Sequence, residues 1–316
     1  YSTDISYSNS YFTNGILKNA PWYVGYFDNK KSIEVGQISG NLLGIASNGK
    51  GIKGSYLIND QHHVGAFYTN SGGFAAGNSS ISFGAWHKYI HNENAEVKTQ
   101  IGRNINSISN RSINVLSIQP SIRFNKKYNV SLISSFTNKK QENEPAYFKA
   151  NGLMLGSSFS TYFLKKRLRV NLSARYNDRN FGFGNYDRFT SNSRVTYRIN
   201  QKWNTFLSNN YQNSSNFNVF TGDVKFFQET FYNNLVFNTR TASGTYQPGI
   251  FYEYRNYPNS IIHNRGLTFR YSNYNFNKNL ITSLYLRAGY TKPTLNNTQN
   301  KDYFNFELSS LTRFRT

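Results

Sequence analysis

Apolar and polar residues alternate with a period of two along most of the chain. Over 167–176, Leu168, Val170, Leu172, Ala174 and Tyr176 hold one parity, and Arg167, Arg169, Asn171, Ser173 and Arg175 hold the other. Successive side chains of a strand point to opposite faces, so this segment predicts a strand with one apolar and one cationic, hydrated face. The pattern recurs over 278–290, where Leu280, Thr282, Leu284, Leu286, Ala288 and Tyr290 oppose Ser283, Tyr285, Arg287 and Gly289. It recurs over 193–199, 128–136 and 118–124, with Val195, Tyr197 and Ile199, then Tyr128, Val130, Leu132 and Phe136, then Ile118, Pro120, Ile122 and Phe124 as the apolar sets. Apolar residues rarely recur at helical spacing, and Asn, Ser and Gly are too frequent for helices.

The alternation predicts about eighteen strands of roughly ten residues, the length of a membrane-crossing β-segment. Their centres fall near Tyr7, Val24, Val35, Ser55, Ala66, Gly84, Gln100, Ile118, Leu132, Ser158, Asn171, Thr196, Leu207, Asn234, Ile250, Phe269, Leu284 and Leu308. Links from even to odd strands are mostly short and polar, at 28–30, 59–61, 125–126, 164–166, 200–201 and 275–279. Links from odd to even strands are mostly long, at 71–79, 138–148, 177–192, 212–223 and 292–302. Short turns at one end and long loops at the other is the layout of a transmembrane β-barrel. Aromatics gather near strand ends, as with Trp22, Tyr23, Tyr26 and Phe27, or Tyr252, Tyr254 and Tyr257, where amphipathic rings would form interfacial girdles.

Composition narrows the classes further. Without Cys there is no disulfide framework, thiolate metal site or Cys nucleophile. A mean hydropathy of −0.63, with no run of about 18 apolar residues, excludes transmembrane helices. An aromatic content of 17% argues against disorder. The chain begins at Tyr1 with neither Met nor an apolar leader, so either a signal peptide has been removed or this is part of a longer protein.

On this alternation, loop asymmetry and aromatic placement, the chain resembles the outer-membrane β-barrels of Gram-negative bacteria, and its Asn-, Lys- and Tyr-rich character resembles those of Bacteroidota. The stretches 33–40 (IEVGQISG) and 49–56 (GKGIKGSY) faintly resemble the strand-and-glycine rhythm of usher-type secretion barrels. Ushers carry a mid-barrel plug for which no connection here is long enough, and the plug of TonB-dependent receptors is missing. The resemblance therefore implies a plain porin-like barrel, or the barrel portion of a larger transporter.

Motifs for other chemistry are weak. Residues 44–50 match the start of a phosphate-cradling loop, but Gly51 replaces the Mg²⁺-binding Ser or Thr and no helix follows. His87 and His91 are four apart on a strand instead of a helix, and His62 and His63 point to opposite sides, so no metal is implied. The loop acids Glu142, Glu144, Asp178, Asp187 and Asp223 have only His263 for company, and no Ser–His–acid set converges. Neither an enzyme nor a cofactor is expected.

The basic residues are more informative. Lys and Arg total 36 against 15 Asp and Glu, a formal charge of +21. Lys53, Arg123, Arg167, Arg169, Arg175, Arg194, Arg198, Arg270 and Arg287 lie on the parity opposite the apolar stripes, with Glu96, Glu253 and Glu307 as their chief acidic company. If the apolar face meets lipid, they line a lumen that concentrates anions. They could equally pair with Glu, with Tyr hydroxyls or with an inserted loop and leave no open pore. Nucleic acid is not the expected partner, because the charge is spread along the strands and the aromatics fall mainly on the other face. Outer-membrane lipid and lipopolysaccharide are, their phosphates attracting the rim lysines Lys139, Lys140, Lys149 and Lys292.

The expected fold is all-β: one antiparallel up-and-down transmembrane barrel over residues 1–316, in the bacterial outer membrane, with both termini periplasmic. The long loop with Phe181, Gly182, Phe183 and Gly184 is the in-chain candidate for a constriction, and the one with Phe217 and Phe220 a contact surface. Two functions follow. One is a channel for polar or anionic solutes; the other is the barrel of a secretion or surface-assembly complex, acting with other outer-membrane or periplasmic proteins.

Overall fold

The computed structural model describes residues 2–7, 22–42, 45–71, 80–106, 110–141, 148–182, 186–217, 224–241, 244–273, 280–295 and 298–314. Every regular element among them is a strand, and all nineteen belong to one hydrogen-bonded sheet. The strands are β1 (Ser2–Tyr7), β2 (Trp22–Phe27), β3 (Lys31–Leu42), β4 (Ile45–Asn59), β5 (His62–Asn70), β6 (Ser80–Asn92), β7 (Ala95–Asn106), β8 (Arg111–Phe124), β9 (Tyr128–Gln141) and β10 (Phe148–Phe163). They continue as β11 (Leu168–Asn177), β12 (Tyr186–Arg198), β13 (Trp203–Phe217), β14 (Val224–Arg240), β15 (Thr245–Tyr257), β16 (Ser260–Asn273), β17 (Leu280–Leu295), the two-residue β18 (Thr298–Gln299) and β19 (Tyr303–Phe314). Each of the eighteen expected centres falls inside a different strand, and only the two-residue β18 has no expected counterpart.

By contacts the chain divides into two units, one of Tyr1–Lys126, Ser131–Gly156 and Asn177–Asn185, the other of Lys127–Val130, Ser157–Tyr176 and Tyr186–Thr316. In the first, β1 to β8 pair antiparallel in chain order. In the second, β12 to β17 do the same, and β17 pairs on with β19. This up-and-down meander is the fold of outer-membrane β-barrels.

The short turns are written in local chemistry. Asp28 Oδ1 accepts the backbone N–H of Lys30 and Lys31, Asn59 Oδ1 those of Gln61 and His62, and Asn200 Oδ1 those of Lys202 and Trp203. Asn92 serves Asn94 in the same way. Such side-chain turns satisfy donors that the ladder leaves behind, which explains much of the Asn content. Asn125 and Lys126 both take positive φ (50° and 54°), as a tight hairpin turn between right-twisted strands requires. The two backbone N–H bonds to Asp28 hold its carboxyl below the ordinary 3.8. Its folded-state pKa is depressed, so its small contribution is present above pH 3.8 and is lost as pH falls through the folded value. A carboxyl titration followed by NMR should find the Asp28 midpoint below 3.8, and Asp28→Asn should remove that transition.

Most strands are longer than expected, up to 17 residues in β14, against about 9–11 needed to cross a bilayer, while β1 and β2 have six each. The excess comes out of the long loops. The expected loop 177–192 shrinks because β12 already begins at Tyr186, and 212–223 shrinks because β13 runs on to Phe217. Polar alternating residues such as Gln212, Asn213, Ser214 and Ser215 read as loop by composition, but their pairing with Thr230, Glu229, Gln228 and Phe227 holds them as strand.

Burial assigns the faces. Val115 is 2% exposed beside Leu116 at 58%, and Phe251 is 4% exposed beside Ile250 at 52%. In both units the exposed parity is the apolar one, and the covered parity carries polar and charged groups as well as apolar ones. That inverts the arrangement of a water-soluble sheet and fits an outer face that meets hydrocarbon.

Candidate functional site

The inner face of the second unit is a set of cross-strand rows. Asn192, Asn210, Tyr232, Glu253, Asn264 and Thr291 stand side by side on β12 to β17, and Thr190, Gln212, Thr230 and Arg255 form the neighbouring row. The first row as far as Glu253 and the whole of the second, with Arg188, border an inner basin of about 630 Å³. Glu253 is its acidic centre: Arg255 donates to Oε1 at 2.5 Å and Arg287 to Oε2 at 2.8 Å. Arg188 donates to Gln212 Oε1 at 2.6 Å, while its buried Nε has no hydrogen-bond partner. One lining carboxylate against the Arg188 and Arg255 guanidinium groups, with an unmet donor, leaves the basin suited to a hydroxyl- or carboxylate-bearing solute.

Other inner arginines lie on rings. Arg194 stacks on Phe206 with Cζ 4.1 Å from the centroid, Arg287 on Phe251 at 4.2 Å, Arg169 over Tyr162 at 5.4 Å and Arg270 over Tyr285 at 5.6 Å. These rings share the inner face with the cations, whereas Tyr56, Tyr68, Phe83, Phe237 and Tyr252 are exposed on the apolar parity. The stacking keeps each cation on the wall without neutralising it. Phe251 fits because Gly266 and Gly289 stand beside it in its row; a Cβ at Gly289 would come within 3.0 Å of its ring.

The first unit differs. Its inner face holds a buried apolar cluster of Phe67, Ile113 and Val115. Around it, Ser135 donates to Ser117 at 2.7 Å and Asn104 to Ser82 at 2.5 Å. Lys53 pairs with Glu34 at 2.9 Å, an acid missing from the expected inner set. Lys88 and Lys98 face each other across β6 and β7; Lys88 pairs with Glu96 at 2.6 Å, and Lys98 lies 5.5 Å over the Trp86 ring. Gly65 is required here, since a Cβ would fall 2.5 Å from that indole.

Of the residues singled out from sequence, Lys53, Arg169, Arg194, Arg270 and Arg287 stand on the inner face of a strand, and Arg175 shares their parity on β11. Arg123 and Arg198 sit near the short-turn ends of β8 and β12, and Arg167 lies in the turn before β11 instead of on the wall. Sequence reasoning passed over Lys88, Lys98, Arg188 and Arg255, although the alternation of Phe251, Glu253 and Arg255 against Tyr252 and Tyr254 carried the signal for the last.

The segment after β11 folds onto the inner face of β10. Asp178 N–H donates to Leu153 O at 2.9 Å, and a Cβ on Gly152 would meet the Asn180 carbonyl carbon and Phe181 N at 2.4 Å. Phe181 and Gly182 are buried there, whereas Phe183, Gly184 and Phe220 lie outside the described residues. Phe217 is the half-buried last residue of β13. Gly152→Val should expel this segment without disturbing the outer face. Limited trypsin digestion of the folded protein is expected to cut after the exposed Arg179 several-fold faster in the variant.

His62, His87 and His263 stay on the outer side, whereas His63 stands opposite Lys88 on the inner face, edge-on to Trp86 with ring centroids 4.7 Å apart. His62 Nδ1 and His87 Nε2 are 3.0 Å apart with stacked rings, and His263 Nδ1 lies 3.0 Å from the Tyr252 hydroxyl. Among the described residues no three His, Asp or Glu side chains form a metal-ligand group.

No family model and no curated protein matches the chain. Among solved structures it is similar to the porin NanC in a rhombohedral crystal form, at 9% identity over 65% of this chain and 96% of that one, with a TM-score of 0.30. It is also similar to a bacterial polysaccharide outer membrane secretin, at 11% identity over 93% and 91% of the two chains, with a TM-score of 0.39.

Proposed function

We propose that the chain crosses the bacterial outer membrane as a closed barrel and that its basic inner face serves polar, anionic solutes. Closure follows from physics: a sheet edge left open in hydrocarbon would strand backbone N–H and C=O groups at several kcal/mol each. The observation that carries the reading is the basin in the second unit, lined by Arg188 and Arg255 with Glu253 as its one lining carboxylate, which Arg255 and Arg287 both engage. With short turns joining even to odd strands, both termini belong on the periplasmic side. Outer-membrane lipid and lipopolysaccharide would surround the apolar face.

A second reading has its own support. In the first unit the inner face is packed, with Ile113 at 0% and Met154 at 1% exposure and Phe181 folded over the strands. A packed wall suits a barrel that acts with partner proteins in secretion or surface assembly and does not conduct alone. Planar-bilayer recording of the purified chain under a salt gradient separates the two. Steady steps with an anion-selective reversal potential are the result expected of a solute channel; silence from a folded, inserted barrel would overturn it in favour of the partnered one.

A further inference from the structure

The registers of β3 to β8 place Ile33, Gly54, Ala66, Ala85, Ile101 and Leu116 in one row across the outer face. Its middle is three small residues side by side. The next row on one side carries Ile52, Tyr68 and Phe83, and on the other Tyr56, Val64 and His87. The small row is therefore the floor of an apolar trough of about 1170 Å³, open to the outside. Packing does not impose the small floor. A Cβ at Gly54 would meet its nearest atom, Ser32 O, at an ordinary 3.6 Å, unlike those at Gly51 and Gly65, which would clash.

The trough has a direction. At one end Lys31 opens β3 just after the turn that Asp28 caps, at the short-turn rim. At the other, Ile101 lies in mid-strand on β7. From Ile33 to Ile101 the row crosses from β3 to β7, about 19 Å at ~4.8 Å per strand spacing. With strands tilted about 45° this rises roughly 13 Å, close to the ~15 Å of one hydrocarbon leaflet. Its walls stand on residues four apart on β4, about 13 Å between Cα atoms before their side chains narrow the gap, too little for an α-helix about 10–12 Å across. Lys31 sits at the low end with Nζ 5.8 Å from the Tyr26 ring, while the nearby Asp28 carboxylate is engaged by the Lys30 and Lys31 N–H groups and the Tyr26 hydroxyl.

We infer that this trough binds one acyl chain of a periplasmic-leaflet phospholipid, with the lipid phosphate at Lys31. The inference rests on the reading that this face meets the membrane. An extended methylene chain matches the trough in length, width and polarity, and the ammonium at its rim end matches the charge of the headgroup.

The test is native mass spectrometry of the detergent-purified full chain titrated with dipalmitoyl phosphatidylglycerol, alongside insertion into vesicles of the same lipid. The wild-type chain should retain one lipid. Gly54→Leu with Ala85→Leu fills the floor and keeps the face apolar, so it should insert normally yet bind about tenfold more weakly, in line with the methylenes it displaces. Lys31→Glu should weaken binding of the anionic lipid by a similar factor while leaving the floor intact. Unchanged lipid retention in both variants, or a chain dimer that the floor substitutions dissolve, would overturn the inference and leave the membrane reading standing. A wild-type chain that never inserts would overturn both.

Discussion

Arginine at position 172 should cost the protein its place in the bilayer. Leu172 is exposed on the apolar parity of β11, between Val170 and Ala174, in the middle of the strand. A charged side chain on the lipid face of a barrel costs about 2–4 kcal/mol near the midplane and much less near the interfaces. Urea titration of the protein folded into vesicles should show Leu172→Arg destabilised by about that amount. Asn171→Arg, one residue away on the inner face, should stay close to wild type. Equal stability of the two variants would mean that the exposed parity does not face hydrocarbon.

The second large effect concerns selectivity. Arg169, Arg194 and Arg270 stand on inner aromatic rings, and none of them pairs with a carboxylate among the described residues, so Ser at all three positions removes charge without orphaning an acid. Arg287 is the wrong choice, since its loss would leave Glu253 with one cation fewer in a half-buried setting. The triple variant should fold and should move the anion-to-cation permeability ratio towards cations by about tenfold, the lower end of the focusing a charged cleft provides. Reversal potential under a salt gradient is the readout. An unshifted potential in a conducting barrel would detach the inner arginines from transport.

The strand centres, the turn chemistry and the division into an apolar and a basic face were legible in the residues themselves. Period-2 alternation is a local consequence of strand geometry, and Asp28, Asn59 and Asn200 cap their turns with atoms two and three residues away. Leu172 and Arg169 could therefore be assigned to opposite faces from sequence. The same locality explains the errors. Strand ends were misplaced wherever polar residues such as 212–215 are held by a partner strand, which composition does not register.

What lies beside what was decided only in three dimensions. Glu253 meets Arg287 across 34 residues, and the floor of Gly54, Ala66 and Ala85 is assembled from three strands. The contact of Asn180 and Phe181 with Gly152 joins β10 to the segment after β11. Alternation tells each side chain which face it takes but not its height on that face, because sliding a strand by two residues preserves every face and changes every neighbour. Residue order was enough for a sheet with one apolar face and one polar face that carries most of its arginines. The tertiary register decided which cations are neutralised, which stack on rings, where the inner face is packed, and where the outer face is hollow.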